Sequence, residues 1–138
     1  MKQALLDSSV VLDLLTRDPA FFAPSKELLV RWGCTHALCI NAVVYSEISV
    51  GFRTIESLEA TLAGLEFLVL PIPRAALFLA GKAFVAYRKR GGSRESPLPD
   101  FFIGAHAAVE RLTLLTRDPA RIHREFPTVE IVQPGPTA

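Results

Sequence analysis

Four acidic side chains in this sequence occupy positions from which they could act together. Asp7 directly follows an apolar run at residues 3–6, and Asp118 comes just after a second apolar run at residues 112–116. If both runs are parallel strands, their carboxyl ends meet at one edge of a sheet, and the two acids lie close to each other. The alternative is that each acid is an ordinary turn or capping residue, because aspartate favours such places.

Glu47 lies in the apolar stripe of a predicted helix at residues 42–52. The residues that share this helical face are Val44, Glu47, Ile48 and Gly51. A carboxylate is rarely placed on an inward face without a partner, which makes Glu47 a candidate for the same site. The alternatives are a structural salt bridge to an arginine, or a helical pattern that is out of phase by one residue.

Asp100 begins a predicted helix at residues 100–111 that is apolar around nearly its whole circumference. A helix of that composition is central, so the acid at its head should also lie near the edge of the sheet. Taken alone, Asp100 is equally a capping residue, because the helix dipole favours an acid in the first turn.

Four carboxylates that converge without balancing cations repel one another and have raised pKa values, and a divalent metal ion removes that conflict. Carboxylate, water and phosphate oxygens are the ligands of Mg²⁺ or Mn²⁺, and such ions position water for attack on a phosphodiester. The two cysteines, Cys34 and Cys39, form no zinc-type pattern with histidine, which argues against zinc and for a reduced compartment.

Apolar runs alternate with amphipathic segments along the chain. Strands are predicted at residues 3–6, 37–40, 67–72, 112–116 and 129–132, and helices at residues 9–15, 25–33, 42–52, 55–65, 74–90 and 100–111, with Ser8 or Ser9 as the first helix cap and Asn41 as another. Because the strands read as continuous apolar runs, we expect a parallel sheet covered by helices on both faces.

The composition indicates one domain at residues 1–133, followed by a frayed tail at residues 134–138. The chain has 138 residues, half of them hydrophobic, with a formal net charge of +1. That balance gives no global nucleic-acid signature, so a polyanion site must be local. No apolar run is long enough for a transmembrane helix, and we expect a cytoplasmic protein without membrane association.

A local basic cluster surrounds the end of the helix predicted at residues 74–90. Its members are Arg88, Lys89, Arg90 and Arg94, and they could steer the phosphate backbone of a nucleic acid toward the acids. The alternative is a solvated helix end and loop. Arg117 and Arg121, in and after the acid-bearing segment at residues 116–120, could also contact phosphate.

The pentapeptide TRDPA occurs twice, at residues 16–20 and 116–120. Only the second copy follows a predicted strand, so Asp18 in the first copy is interpreted as a turn residue. His106 lies mid-helix, far around the helical wheel from Asp100, and is predicted to be buried and hydrogen-bonded rather than a general base. Asp13 is interpreted as structural or peripheral.

Taken together, these segments resemble the PIN-domain ribonucleases, and among them the VapC-type toxins of toxin–antitoxin pairs. The resemblance rests on LLDSSVVLDLL near the amino terminus, NAVVYSEISVGFR in the first third, and PDFFIGAHAAVERLTLLTRDPARI with FPTVEIV near the end. Each motif is only modestly specific, but their order and spacing in so short a chain make the combination strong.

This resemblance implies a three-layer α/β/α sandwich around a mainly parallel sheet and an Mg²⁺- or Mn²⁺-dependent endoribonuclease. It assigns the metal-binding and catalytic roles to Asp7, Glu47, Asp100 and Asp118, and a supporting role to Ser9. It also implies a homodimer, for which the helices at residues 55–65 and 74–90 are compatible surfaces, and a cognate VapB-like antitoxin whose carboxy-terminal segment enters the cleft.

Three other functions were weighed. Haloacid-dehalogenase-type phosphatases need a second aspartate two residues after the first, where this chain has Ser9. Response-regulator receivers need paired amino-terminal acids and a mid-domain phosphoacceptor, which fits poorly. A non-catalytic RNA-binding or antitoxin-titrating module remains as the alternative that the sequence leaves open.

Overall fold

A computed structural model describes residues 1–92 and 98–135, and its centre is a parallel five-stranded sheet. The strands are β1 (Lys2–Leu6), β2 (His36–Asn41), β3 (Leu68–Leu70), β4 (Thr113–Leu115) and β5 (Ile131–Val132), in the order β3-β2-β1-β4-β5. Every adjacent pair is parallel. The expected α/β class and parallel sheet are confirmed.

Helices connect the strands and cover the sheet. In the described residues they are α1 (Ser8–Leu15), α2 (Phe22–Gly33), α3 (Ala42–Ser49), α4 (Ile55–Leu65), α5 (Arg74–Lys89), α6 (Leu98–Glu110) and α7 (Pro119–Glu125). The inner residues of β1 and β4, including Leu5, Leu6, Leu114 and Leu115, are fully buried. That burial is why these strands read as unbroken apolar runs.

The strand order reverses beside β1. From β1 the chain moves to β2 and β3 on one side of the sheet, and it later returns to place β4 and β5 on the other side. In parallel sheets with such a reversal, ligands bind at the carboxyl ends of the strands, here where the helices that follow β1 and β4 begin. Asp7 and Asp118 both stand at this edge.

Several element boundaries differ from the predicted ones. α2 begins at Phe22 rather than at Ser25, and Pro24 lies inside its first turn, where proline loses no intrahelical hydrogen bond. α3 ends at Ser49, which leaves Gly51 outside the helix. Asp7, and neither Ser8 nor Ser9, occupies the N-cap position of α1, without a capping hydrogen bond from its side chain.

The sequence interpretation missed α7 altogether. This helix has seven residues, starts with Pro119 at its first position, and buries only Ile122, so it shows no apolar periodicity. It is fixed to α6 through Phe126, whose ring lies against Gly104 where any side chain would collide. The same ring meets Phe101 edge to face, at 6.2 Å between centroids.

Asn41 caps α3 as predicted, with its Oδ1 accepting hydrogen bonds from the backbone of Val43 and Val44. No helix among the described residues is long and apolar enough to cross a membrane. Of the predicted frayed tail, residues 136–138 lie outside the described part of the chain.

Candidate active site

Asp7 is held at the carboxyl end of β1 by backbone and side-chain contacts. Its backbone N–H donates to the carbonyl of Leu115 at 3.0 Å, which fixes it beside the end of β4. Its carboxylate does not cap α1. Instead, Oδ2 accepts hydrogen bonds from the hydroxyls of Ser9 and Thr116, each at 2.7 Å. Ser9, to which the resemblance gives a supporting role, therefore contacts the first of the predicted acids.

Thr116 joins Asp7 to the segment that carries Asp118. The Thr116 hydroxyl oxygen accepts a hydrogen bond from the backbone N–H of Asp118 at 3.1 Å while donating to Asp7. The backbone N–H of Arg117 donates to the Ser9 hydroxyl oxygen, also at 3.1 Å. Sequence reasoning missed Thr116, although a hydroxyl at the last buried position of a strand, two residues before an acid, was an available signal.

Glu47 approaches from α3 on the same side of the cleft. Its Oε1 is buried and has no hydrogen-bond partner among the described residues. Burial raises the pKa of Glu47, the nearby Ser8 hydroxyl lowers it, and the charges of Asp7 and Asp100 raise it further. The neighbours Val44 and Ile48 are fully buried, so the predicted inward stripe is confirmed for these positions.

Asp100 lies in the first turn of α6, as its third residue. Burial raises the pKa of Asp100, and so do the charges of Asp7 and, more weakly, Asp118, while Arg121 lowers it. The Arg121 Nη1 and Asp100 Oδ2 are 3.4 Å apart, and the arginine is half exposed. This surface ion pair compensates only part of the acidic charge.

The four predicted acids therefore lie close enough for electrostatic interaction at one edge of the sheet. Each is linked to another electrostatically, as Glu47 is to Asp7 and Asp100, and Asp100 is to Asp118. Among the described residues no group of three or more His, Cys, Asp or Glu is arranged as a ready-made metal site. The donor set still fits a hard divalent cation, because it is all carboxylate and one buried oxygen, Glu47 Oε1, lacks a partner.

Other polar residues named from the sequence have structural roles. The Asp18 carboxylate accepts hydrogen bonds from the backbone of Ala20 and Phe21, both at 2.9 Å, so the prediction of a turn residue is confirmed. His106 is buried with its Nδ1 3.1 Å from Asn41 Nδ2, as predicted. The Asn41 amide donates to this nitrogen, and burial lowers the pKa of His106. Asp13 is buried and paired.

The predicted RNA-contacting residues stand in different surroundings. Arg88 lies over the ring of Phe84, at 5.8 Å, and Lys89 is exposed. Arg90 forms an ion pair with Glu125 of α7. Arg117 pairs with Asp13. Arg94 lies outside the described residues.

A family model of the PIN domain matches residues 4–125 of this chain. No functionally curated protein matches the sequence significantly. The fold is similar to that of VapBC2 from Rickettsia felis bound to a promoter DNA fragment, at 16% identity and a TM-score of 0.72, covering 94% of this chain and 97% of that one.

Two further solved structures show the same likeness. One is DNA-bound VapBC from Salmonella typhimurium, at 20% identity and a TM-score of 0.72, covering 96% of this chain and 98% of that one. The other is a toxin–antitoxin complex from Klebsiella pneumoniae, at 23% identity and a TM-score of 0.67, covering 98% of this chain and all of the matched chain (100%). At these identities the likeness concerns the fold.

Proposed function

The chain belongs to the PIN domain family, and we propose that it is a divalent-metal-dependent endoribonuclease that acts as the toxin of a toxin–antitoxin pair. PIN domains are typically nucleases, which supports hydrolysis of nucleic acid. The choice of RNA, of Mg²⁺ or Mn²⁺, and of the toxin role belongs to the proposal.

The observation that carries the proposal is that Asp7, Glu47, Asp100 and Asp118 share the carboxyl edge of the sheet, where burial raises the pKa values of Glu47 and Asp100 and neighbouring acids raise them further. A bound divalent cation would offset this repulsion. The partnerless Oε1 of Glu47 points to the same conclusion.

The contacts of each residue at the site indicate the role that it would have. Asp7, Glu47, Asp100 and Asp118 would hold the ion, which would supply Lewis-acid stabilisation of charge on the scissile phosphate. Ser9 and Thr116 both donate to one oxygen of Asp7, so they fix the carboxylate in one orientation. Arg121 stands beside Asp100 and is positioned to meet a phosphate at the rim.

The exposed basic side chains Arg88 and Lys89 would attract the RNA backbone toward this edge, together with Arg90 where it is released from Glu125. Contacts of this kind give a salt-dependent affinity without reading sequence.

An apolar groove between α1, α2 and α4 supports a protein partner. It encloses about 460 Å³ and is lined largely by apolar side chains, among them Leu14, Leu15, Leu29, Val30 and Leu65. Val30 is 61% exposed, so the groove leaves apolar surface in water that a partner would cover. We assign this groove to the apolar segment of a VapB-like antitoxin.

A second apolar surface, on β3 and α5, supports the proposed homodimer. Phe78 is 69% exposed and Val85 52%, while Val69 and Leu77 are 47% and 43% exposed. Exposed apolar side chains on an edge strand and on the helix that follows it are typical of a surface that a second copy covers.

The experiment is cleavage of end-labelled RNA by the purified protein with Mg²⁺ or Mn²⁺, with and without EDTA. We expect internal cleavage that EDTA abolishes and that Asp7→Asn reduces at least about 100-fold. RNA that is bound but never cut under any metal condition would favour the non-catalytic alternative, a binding or antitoxin-titrating module.

A further inference from the structure

A buried carboxylate outside the acidic edge joins three elements. Asp13 of α1 is 1% exposed. Its Oδ2 accepts a hydrogen bond from the hydroxyl of Ser25 in α2 at 2.7 Å. Its Oδ1 is 3.1 Å from Nη2 of Arg117, in the segment between β4 and α7. A charge so deeply buried is maintained only by such partners.

The side chain of Arg117 is held by contacts within the protein. Its guanidinium lies over the ring of Phe21, with its central carbon 4.2 Å from the ring centroid, and its Nε is buried. A guanidinium that stacks on an aromatic ring and pairs with a carboxylate is fixed in orientation. Two of its donor groups are therefore turned inward, away from any approaching phosphate.

The position of Arg117 in the chain links this pair to the site. Arg117 lies in the chain between Thr116 and Asp118. The Thr116 hydroxyl donates a hydrogen bond to the Asp7 carboxylate and accepts one from the backbone N–H of Asp118. The backbone N–H of Arg117 donates to the hydroxyl oxygen of Ser9, which is the second hydroxyl that donates to Asp7. A displacement of Arg117 would therefore disturb both hydrogen bonds to the Asp7 carboxylate, and it would also shift Asp118.

We propose that Asp13 and Arg117 are positioning residues of the nuclease, and that their buried ion pair fixes the segment at residues 116–118 so that the Thr116 hydroxyl meets Asp7 and Asp118 faces the charge of Asp100. This inference rests on the proposed function. It gives Arg117 a role different from the RNA contact that the sequence suggests, and the two roles predict different kinetics.

The test compares Asp13→Asn, Arg117→Met, Arg117→Lys and the double variant Asp13→Asn with Arg117→Met. Arg31→Met is the matched control, because Arg31 is an exposed arginine at the end of α2 that leads to the opposite edge of the sheet. For each protein, kcat and KM for RNA cleavage, the affinity for Mn²⁺ and the melting temperature are measured.

We expect Asp13→Asn and Arg117→Met to lower kcat about 10- to 100-fold while KM for RNA changes less than about threefold, because the segment is misplaced. Mn²⁺ affinity should fall several-fold in the same variants. Arg117→Lys should restore part of kcat. The double variant should lose no more than either single variant, since both act through one contact.

Three results would overturn the inference. Wild-type kcat in a folded Arg117→Met protein would remove the positioning role. A rise in KM with a shallower salt dependence and unchanged kcat would assign Arg117 to RNA contact instead. If a single variant does not fold, the double variant, which leaves no unpaired buried charge, decides: normal kcat and Mn²⁺ affinity there would make the pair purely structural.

Failure of the proposed function is separable from failure of this inference. An inactive wild type under all metal conditions would overturn both. An active wild type whose Asp13 and Arg117 variants are equally active would overturn the positioning role alone.

Discussion

The two copies of TRDPA have the same five residues and serve different purposes. The first, at residues 16–20, follows helix α1, whereas the second, at residues 116–120, follows strand β4. The first copy turns the chain toward α2. The second copy stands at the carboxyl edge of a parallel sheet, where the Thr116 hydroxyl donates to Asp7. The preceding element therefore decides what the pentapeptide does.

The hydroxyls show this difference most clearly. Thr16 is exposed and donates its hydroxyl hydrogen bond to the backbone carbonyl of Leu12 at 2.7 Å, within its own helix end. Thr116 is buried and donates to the carboxylate of Asp7, also at 2.7 Å, although the two residues are 109 positions apart in the sequence. The Thr16 hydroxyl bonds within the end of its own helix, whereas the Thr116 hydroxyl orients Asp7.

The arginines and acids differ in the same way. Arg17 has a positive φ of 52°, the left-handed conformation in which a helix commonly ends, and Asp18 caps the following turn. Arg117 instead pairs with a buried acid, and Asp118 contributes to the electrostatic environment of Asp100. The first segment therefore stabilises a turn of the fold, and the second contacts the candidate site.

The acids give the largest expected contrast. Asp118→Ala should lower kcat/KM for metal-dependent RNA cleavage about 100-fold, because it removes a proposed ligand. Asp18→Ala should leave kcat/KM within about twofold while lowering stability by about 1 kcal/mol, because two backbone donors lose their acceptor. Cleavage assays and thermal melts of both variants measure this, and equal losses of activity would show that the copies are not functionally distinct.

The threonines give a smaller contrast. Thr116→Val keeps the shape of the side chain and removes the hydroxyl, so one contact to Asp7 is lost and kcat should fall about 10-fold. Thr16→Val should leave kcat unchanged, since its hydroxyl bonds only to Leu12. A Thr116→Val protein with full activity would assign the orientation of Asp7 to Ser9 alone.

The smallest expected effect is on how the stability of the protein depends on pH. Burial raises the pKa of Glu47 in the folded protein, so the folded state binds this proton more tightly than the unfolded state. The metal-free protein therefore loses stability as pH rises from the unfolded pKa through the folded one. Glu47→Gln removes that loss, so it should melt at a higher temperature than the metal-free wild type near neutral pH, and the difference should shrink as the pH falls.

Added Mg²⁺ provides the control for this prediction. It should raise the melting temperature of the wild type and leave that of Glu47→Gln nearly unchanged, because only the first has the full donor set. A Glu47→Gln protein that is less stable than wild type at neutral pH would indicate a structural salt bridge, the alternative considered from the sequence.

Much of this organisation was predictable from local patterns. Asp7 and Asp118 stand out in the sequence because buried parallel strands are continuous apolar runs and acids soon after them are conspicuous. Glu47 stands out because a single charge interrupts an apolar stripe. These signals depend on neighbouring residues alone, so one sequence suffices to see them.

The missed features depend on contacts between distant segments. α7 is too short for a periodic pattern and is held by the ring of Phe126 against Gly104, which no local rule shows. The role of Thr116 depends on Asp7, and that of Asp13 on Arg117. A pairing between α1 and the segment after β4 appears only once the sheet has brought them together.

Binding of Mn²⁺ to the purified protein, followed by electron paramagnetic resonance, tests the central claim that the acids at the carboxyl edge form a metal site. We expect the wild type and Asp18→Ala to bind Mn²⁺ with equal affinity, at the concentration that half-activates RNA cleavage. Asp7→Asn and Asp100→Asn should bind it at least about 10-fold more weakly. Equal Mn²⁺ affinity in the wild type, Asp7→Asn and Asp100→Asn would contradict the account.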